Sequence, residues 1–224
     1  MATVAVLGGT GALGFGLVLR FAAAGYQVAI GSRDADRAKA AAERATELVP
    51  EAWVHGMSYA DAAADATRLV VLTVPFASQA ETLKAVSGSL REGMVVLDTT
   101  VPLAPAVGGR PTQLVGVWQG SAAQQAAALV PAGVRVVSAL HTISAAALTD
   151  LGHEVDEDTF LAGAAEAKKV VADHLQVVPG LRAIDAGPLE ASRLTESITP
   201  LLIGLNMRYK THTGVRITGL EAIA

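Results

Sequence analysis

The segment Gly9-Thr10-Gly11-Ala12-Leu13-Gly14 constrains this chain more than any other stretch in it. It is a complete G-x-G-x-x-G. It follows directly on an apolar, β-branched run (TVAVLG, 3–8) and opens a stretch of helical composition, 12–24, that stops at Gly25. In that register the spacing predicts a strand–turn–helix unit whose loop holds a dinucleotide. The first glycine permits the tight turn, the second lets backbone approach a pyrophosphate, and the third allows close helix–strand packing. Unpaired N–H groups and the helix dipole favour an anion at the helix start.

The rest of the chain repeats this alternation. Short apolar strands are expected at 27–30, 53–57, 69–74 and 94–97, with helices at about 34–49, 59–67 and 78–90. Beyond a loop at 101–120, rich in proline and paired glycine, come a helix at 121–130 and a strand at 134–140. A further strand, helix and strand are expected at 158–163, 164–175 and 177–184, then a last helix at 192–207 interrupted near Pro200. Strands and helices in this order predict an α/β fold, a Rossmann-type doubly wound parallel sheet with right-handed crossovers and a small C-terminal lobe. The expected division is a nucleotide-binding domain over 1–140 and a smaller lobe over 141–224.

The end of the second strand selects the nucleotide. An NAD-binding chain places Asp or Glu there to bind the ribose 2′-hydroxyl. Here the strand ends Ile30-Gly31-Ser32-Arg33, a hydroxyl and a guanidinium suited to a 2′-phosphate, with Arg37 one helical turn on. Asp34 reads as a helix cap whose carboxylate faces backbone N–H groups. NADP(H) is therefore expected.

Composition narrows the chemistry. The 224 residues are 51% hydrophobic but only 4% aromatic, so the core must be built of Ala, Val and Leu packed around Gly. A net charge of −4 argues against nucleic-acid binding. The absence of cysteine excludes thiolate nucleophiles and Cys-ligated metal. No stretch approaches the ~20 apolar residues of a membrane span, and the start lacks a signal peptide's pattern, so a cytoplasmic protein without membrane partners is expected. No metal site is expected, for no H-x-x-x-H or carboxylate pair occurs.

Ligands of doubly wound sheets bind beyond the carboxyl ends of the strands. Thr73-Val74-Pro75 closes one strand, where its backbone can flank a nicotinamide. Ser138-Ala139-Leu140-His141-Thr142 closes a later one, and Asp185-Ala186-Gly187-Pro188-Leu189 leads towards Ser192, Thr195 and Ser197. His141 is the one histidine placed for acid–base work, its alternative being a structural hydrogen-bonder. So sparse an inventory implies chemistry carried by cofactors.

The segments LGGTGALG, IGSRDADRA, LTVP, VVSALHTI, DAGPLEASRLTESITPLL and RYKTHTGVRITGL together resemble the F₄₂₀:NADP oxidoreductases, the NADPH-dependent reductases of coenzyme F₄₂₀, from Val4 to about Leu220. The resemblance implies hydride transfer between NADPH and an 8-hydroxy-5-deazaflavin. It places Thr10, Gly11 and Leu13 by the phosphates and ribose, and Ser32, Arg33 and Arg37 around the 2′-phosphate. Val74 and Pro75 then lie by the nicotinamide, and the Ala139, His141 and Ile143 segment forms the deazaflavin wall. The final helix and tail close that pocket and take part in a homodimer. Arg208, Lys210 and Arg216 either attract the coenzyme's anionic tail or form a solvated or inter-subunit arm. The chain departs from the family pattern at Ala12, Arg37, Phe76, Ser78 and Ser144. The exchange at Arg37 keeps the charge, whereas those at Phe76, Ser78 and Ser144 remodel the pocket near the rings. Two other readings keep the NADP site: reduction of a small carbonyl or imine, and NADP sensing without turnover.

Overall fold

The computed structural model describes residues 2–220. Its strands are β1 (Thr3–Leu7), β2 (Gln27–Ser32), β3 (Val54–Ser58), β4 (Leu69–Leu72), β5 (Val95–Asp98), β6 (Arg135–Ser138), β7 (Asp158–Gly163) and β8 (Arg182–Gly187). All lie in one sheet, ordered β3-β2-β1-β4-β5-β6-β7-β8. The strand order reverses between β1 and β4, which opens a crevice at their carboxyl ends. Strands β1 to β6 are mutually parallel, β7 runs antiparallel to β6, and β8 is parallel to β7.

The helices are α1 (Ala12–Ala23), α2 (Ala35–Leu48), α3 (Tyr59–Asp65), α4 (Phe76–Val86), α5 (Ala122–Ala127), α6 (Ala145–Thr149), α7 (Ala165–Leu175), α8 (Ser192–Thr195) and α9 (Ile198–Tyr209). Alternation along each strand feeds two cores. Val4, Val6, Val71 and Leu97 pack against α1, α2 and α7, while Ala5, Leu7, Leu72 and Val96 pack against α3, α4 and α5. Small residues set the spacing: α2 buries only Ala38, Ala42 and Ala45. At Gly56 of β3, even one methyl group would strike the backbone of Ala38.

Two expectations about elements shift. The sheet is parallel only as far as β6. Leu140 there takes a left-handed conformation (φ 69°), and the chain returns through α6, a helix without a marked signature in the sequence, to enter β7 in the opposite direction. The strand expected at 177–184 begins only at Arg182, because Pro179 lacks a donor and Gly180 turns the chain at φ 79°. The last helix is interrupted near Pro200 as expected, at Glu196 and Ser197, since proline removes the N–H that would bond to the carbonyl four residues earlier. The sheet also continues past residue 140, with β6 and β7 paired across that point.

Candidate functional site

The glycine turn is built at the carboxyl end of β1. The left-handed residue is Gly8 (φ 91°), one position ahead of the motif's first glycine, and a Cβ there would lie 3.0 Å from the Thr73 carbonyl carbon. Gly9 is required for a different reason: its missing side chain admits Ile30, whose Cγ2 would be 3.0 Å from a Cβ. At Gly14 a Cβ would collide with the Thr73 hydroxyl and lie 2.6 Å from the Gly8 carbonyl oxygen. This residue is the close helix–strand contact expected of it. Gly11 and Ala12 are exposed at the start of α1, with Gly11 as its N-cap residue, and Leu13 packs on the core below. First-turn amides of a helix have no intrahelical acceptor, so they are available to an anion.

A cavity of about 240 Å³ opens beside this turn. It brings together Thr10, Gly11, Ser32, Arg33 and Arg37 with Thr73, Val74 and Pro75. Gly9, Ala12, Leu13 and Gly14 support the turn from outside the cavity lining. Arg33 and Arg37 are exposed, and neither pairs with a carboxylate among the described residues. Asp34 does not neutralise them by capture, because its Oδ1 accepts the amides of Asp36 (3.0 Å) and Arg37 (3.3 Å) at the start of α2. Ser32 Oγ accepts the Asp34 amide at 3.2 Å. Thr73 is fixed by two bonds to the Leu7 carbonyl, from its amide (2.8 Å) and its hydroxyl (3.0 Å).

Tyr59 also lines the cavity, a place no motif of the sequence marks. Its ring lies over Gly31, where a Cβ would be 3.1 Å from Cδ1. Burial pushes its phenol above the ordinary range, and the charges of Arg33 and Arg37 oppose that rise. The available signal was positional: Tyr59 follows the strand next to β2, at the same edge as Ser32.

The Ala139, His141 and Ile143 segment lies beyond β6, two strands across from β4, and lies outside the nucleotide cavity. All three residues are buried. Leu140 N donates to Thr159 Oγ1 (2.7 Å), and Thr199 Oγ1 donates to the His141 carbonyl (2.7 Å). His141 Nε2 and Ser138 Oγ are buried with no hydrogen-bond partner among the described residues. Burial pushes the imidazole down to about 4, so His141 is neutral near pH 7. Its Nε2 is a buried nitrogen of a neutral ring, without a partner among the described residues.

The other polar candidates are already engaged. Ser192 Oγ lies 2.6 Å from Ser121 Oγ, Thr195 Oγ1 bonds to the Ser192 carbonyl (3.2 Å), and Ser197 Oγ bonds to that of Arg193 (2.6 Å). Asp185 pairs with the buried Lys168 amine, which also donates to the Gly187 carbonyl (3.1 Å). Arg216 pairs with Asp156 (2.7 Å) and Asp158 (3.3 Å), so it anchors the tail. Arg208 lines a shallow hollow on α9 beside Thr112, and Lys210 ends that helix at φ 53°.

Comparison with known proteins matches this arrangement to one group. Residues 3–102 fit the sequence model of the family described as NADP oxidoreductase, coenzyme F₄₂₀-dependent. The F₄₂₀-dependent NADP reductase of Methanothermobacter thermautotrophicus is 43% identical over 222 residues, covering 97% of this chain and 95% of that protein. That of Methanocaldococcus jannaschii is 43% identical over 224 residues, covering 97% and 99%. A crystal structure of an Arthrobacter sp. FB24 protein, named as a candidate F₄₂₀-dependent NADP reductase, superposes with a TM-score of 0.81 at 30% identity, covering 97% of this chain and all of that one. An imine reductase of Bacillus cereus BAG3X2 shares the fold (TM-score 0.65, 18% identity), but this chain spans 63% of its length.

Proposed function

The chain belongs to the coenzyme F₄₂₀-dependent NADP oxidoreductase family, and from that premise we propose that it transfers a hydride between NADP(H) and the deazaflavin coenzyme F₄₂₀. Near-full-length identity to F₄₂₀-dependent NADP reductases carries this reading. The residues present fit both coenzymes. Gly8, Gly9 and Gly14 hold a turn that side chains would fill, and two guanidinium groups that pair with no carboxylate among the described residues stand beside Ser32 for a 2′-phosphate. The buried wall at Ala139, His141 and Ile143 offers an apolar face with unused polar atoms at its edge.

The coenzymes supply the hydride and its acceptor; the protein supplies binding, orientation and exclusion of water. The amides at the start of α1 hold the pyrophosphate, and Ser32, Arg33 and Arg37 fix the 2′-phosphate. Thr73, locked to Leu7, presents Val74 and Pro75 to the nicotinamide. His141, neutral near pH 7, offers its unpartnered Nε2 to the deazaflavin's polar edge. In this arrangement residues 1–140 bind NADP(H), residues 141–224 close the deazaflavin side, and the protein works as a cytoplasmic homodimer on small-molecule partners.

A spectrophotometric assay tests the reading. NADPH is expected to bleach the oxidised deazaflavin's absorbance, with NADH far less effective. Tight NADPH binding without any deazaflavin turnover would overturn it.

A further inference from the structure

A set of buried polar side chains, none of it lining the nucleotide cavity, is sealed where β5, α4, α5 and α8 meet. Asp98 ends β5 with 0% of its surface exposed, and Glu196 follows α8 with 2% exposed. Gln79 Nε2 donates to Asp98 Oδ2 (2.7 Å) and to the Ala122 carbonyl (2.9 Å). The Thr100 amide donates to Asp98 Oδ1 (2.9 Å). Opposite, the Glu196 carboxylate accepts the amides of Ala122 (2.9 Å) and Ala123 (3.1 Å), the first residues of α5. No lysine or arginine pairs with either acid among the described residues. A buried carboxyl without a cation is costly, and here the first amides of α5, which have no intrahelical acceptor, offset part of that cost.

The connection one turn further along gives it a use. Pro200 cannot donate to the Glu196 carbonyl, so the junction between α8 and α9 lacks that helical bond. What remains is the Thr199 amide bonded to that carbonyl at 3.3 Å. The Thr199 hydroxyl in turn holds the His141 carbonyl at 2.7 Å. We propose that Glu196 is a positioning residue for the second substrate: seated on the amides of Ala122 and Ala123, it fixes the turn that carries Thr199, and Thr199 fixes the backbone at His141. The proposal rests on the preceding reading that His141 and Ile143 wall the deazaflavin.

The seat is also sensitive to ionisation. Burial pushes Glu196 up to about 7; the two amides and Ser121 oppose the rise and the charge of Asp98 adds to it. Burial likewise pushes Asp98 up to about 6, against bonds from Thr100 and Gln79. The groups facing Glu196 are the amides and Ser121 of the α5 start, Ser192 of α8 and Asp98 of β5, and Asp98 is the charged one. A carboxyl raised in the folded state contributes stability that is fully present below its unfolded value and is lost as pH rises through the folded one. Ionisation of Glu196 therefore costs folding stability as pH rises towards about 7, while the two amides of the seat favour the ionised form.

Steady-state kinetics of the full chain on both sides of pH 7, with Glu196→Ala and Glu196→Gln, test this. Glu196→Ala is expected to raise KM for the deazaflavin about tenfold while KM for NADPH stays within about twofold. Glu196→Gln keeps the shape and one acceptor oxygen but turns its N–H₂ towards one of the two backbone N–H groups, so it recovers only part of that loss. It also flattens the change in deazaflavin KM across pH 7 that ionisation of Glu196 gives the wild type. Hydrogen exchange, which needs no turnover, is expected to quicken in 122–127, 139–143 and 192–200 of Glu196→Ala but not around the glycine turn. Equal shifts in both KM values, a wild-type pH profile in Glu196→Gln, or unchanged exchange would each overturn the proposal. If Glu196→Ala does not fold, the profile and exchange of Glu196→Gln decide. A wild type without deazaflavin turnover defeats the preceding reading instead, and the exchange comparison then decides this one.

Discussion

At Gly14 a single methyl group separates a working turn from a broken one. The added carbon of Gly14→Ala must displace the Thr73 hydroxyl and the Gly8 carbonyl, both held in the strand framework. A cost of about 1–3 kcal/mol, typical of overpacking, is expected in denaturant titration, together with loss of NADPH affinity. The arginines behave differently, since nothing in the fold leans on them. Arg33→Ala is expected to leave stability unchanged and to raise KM for NADPH about tenfold or more, with KM for NADH nearly unmoved. A parallel rise for both nucleotides would remove Arg33 from the 2′-phosphate. His141 makes its mark on stability: its folded value of about 4 lies below the ordinary 6.5. Its contribution is therefore complete above pH 6.5 and is lost as pH falls towards 4. Thermal melts over that interval should fall more steeply for the wild type than for His141→Asn.

Arg20 ties two elements that are far apart in sequence. Burial lowers its ordinary basicity and Asp150 partly restores it. Its guanidinium donates to the carbonyls of Leu148 (3.0 Å), Ala147 (2.9 Å), Asp150 (2.6 Å) and His153 (3.0 Å) at the end of α6. At Gly16 on the same helix a Cβ would lie 2.6 Å from that of Leu148, so α1 and α6 nearly touch. Arg20→Met leaves several buried carbonyls without donors, and a loss of a few kcal/mol in chemical unfolding is expected. Arg20→Lys should recover part of it. No local pattern announces this clamp, because its acceptors are backbone atoms about 128 residues away. The same limit governs the strands. Apolar runs and glycine punctuation located β1, β2 and β4 with their helices, and the Ser32 and Arg33 pair beside them. The reversal of β7 depends on how the chain leaves Leu140, and an apolar run has no direction of its own. Tyr59 and Glu196 were invisible for a related reason: one acts through its place beside β2, the other through amides more than seventy residues upstream.

Across the whole molecule the distribution of exposed apolar surface is uneven. Of the residues in α9 only Pro200 and Leu202 are buried, while Leu201, Met207 and Tyr209 are exposed, as is Leu194 on α8. Beside them the excursion at 101–120 meets α9 at Thr112 and carries Trp118, almost wholly exposed, and Val107. Single exposed apolar residues are ordinary on any surface, but a helix that buries so little of its apolar face is not. The opposite edge of the sheet, at β3, sets charged Lys39, Glu43, Glu47 and Asp61 around its own exposed Leu48 and Trp53. If the chain pairs as the proposed homodimer, α9 is the expected face, a two-fold contact setting each helix against its copy. Sedimentation equilibrium of the wild type is expected to give twice the chain mass, and Leu201→Glu to give a monomer that keeps its NADPH affinity, because the glycine turn lies at the other side of the sheet's crossover. If α9 also closes the deazaflavin side, the same variant loses deazaflavin affinity with the dimer. A monomeric wild type, or a Leu201→Glu variant that remains dimeric, would place the interface elsewhere and leave the apolar face of α9 to another partner.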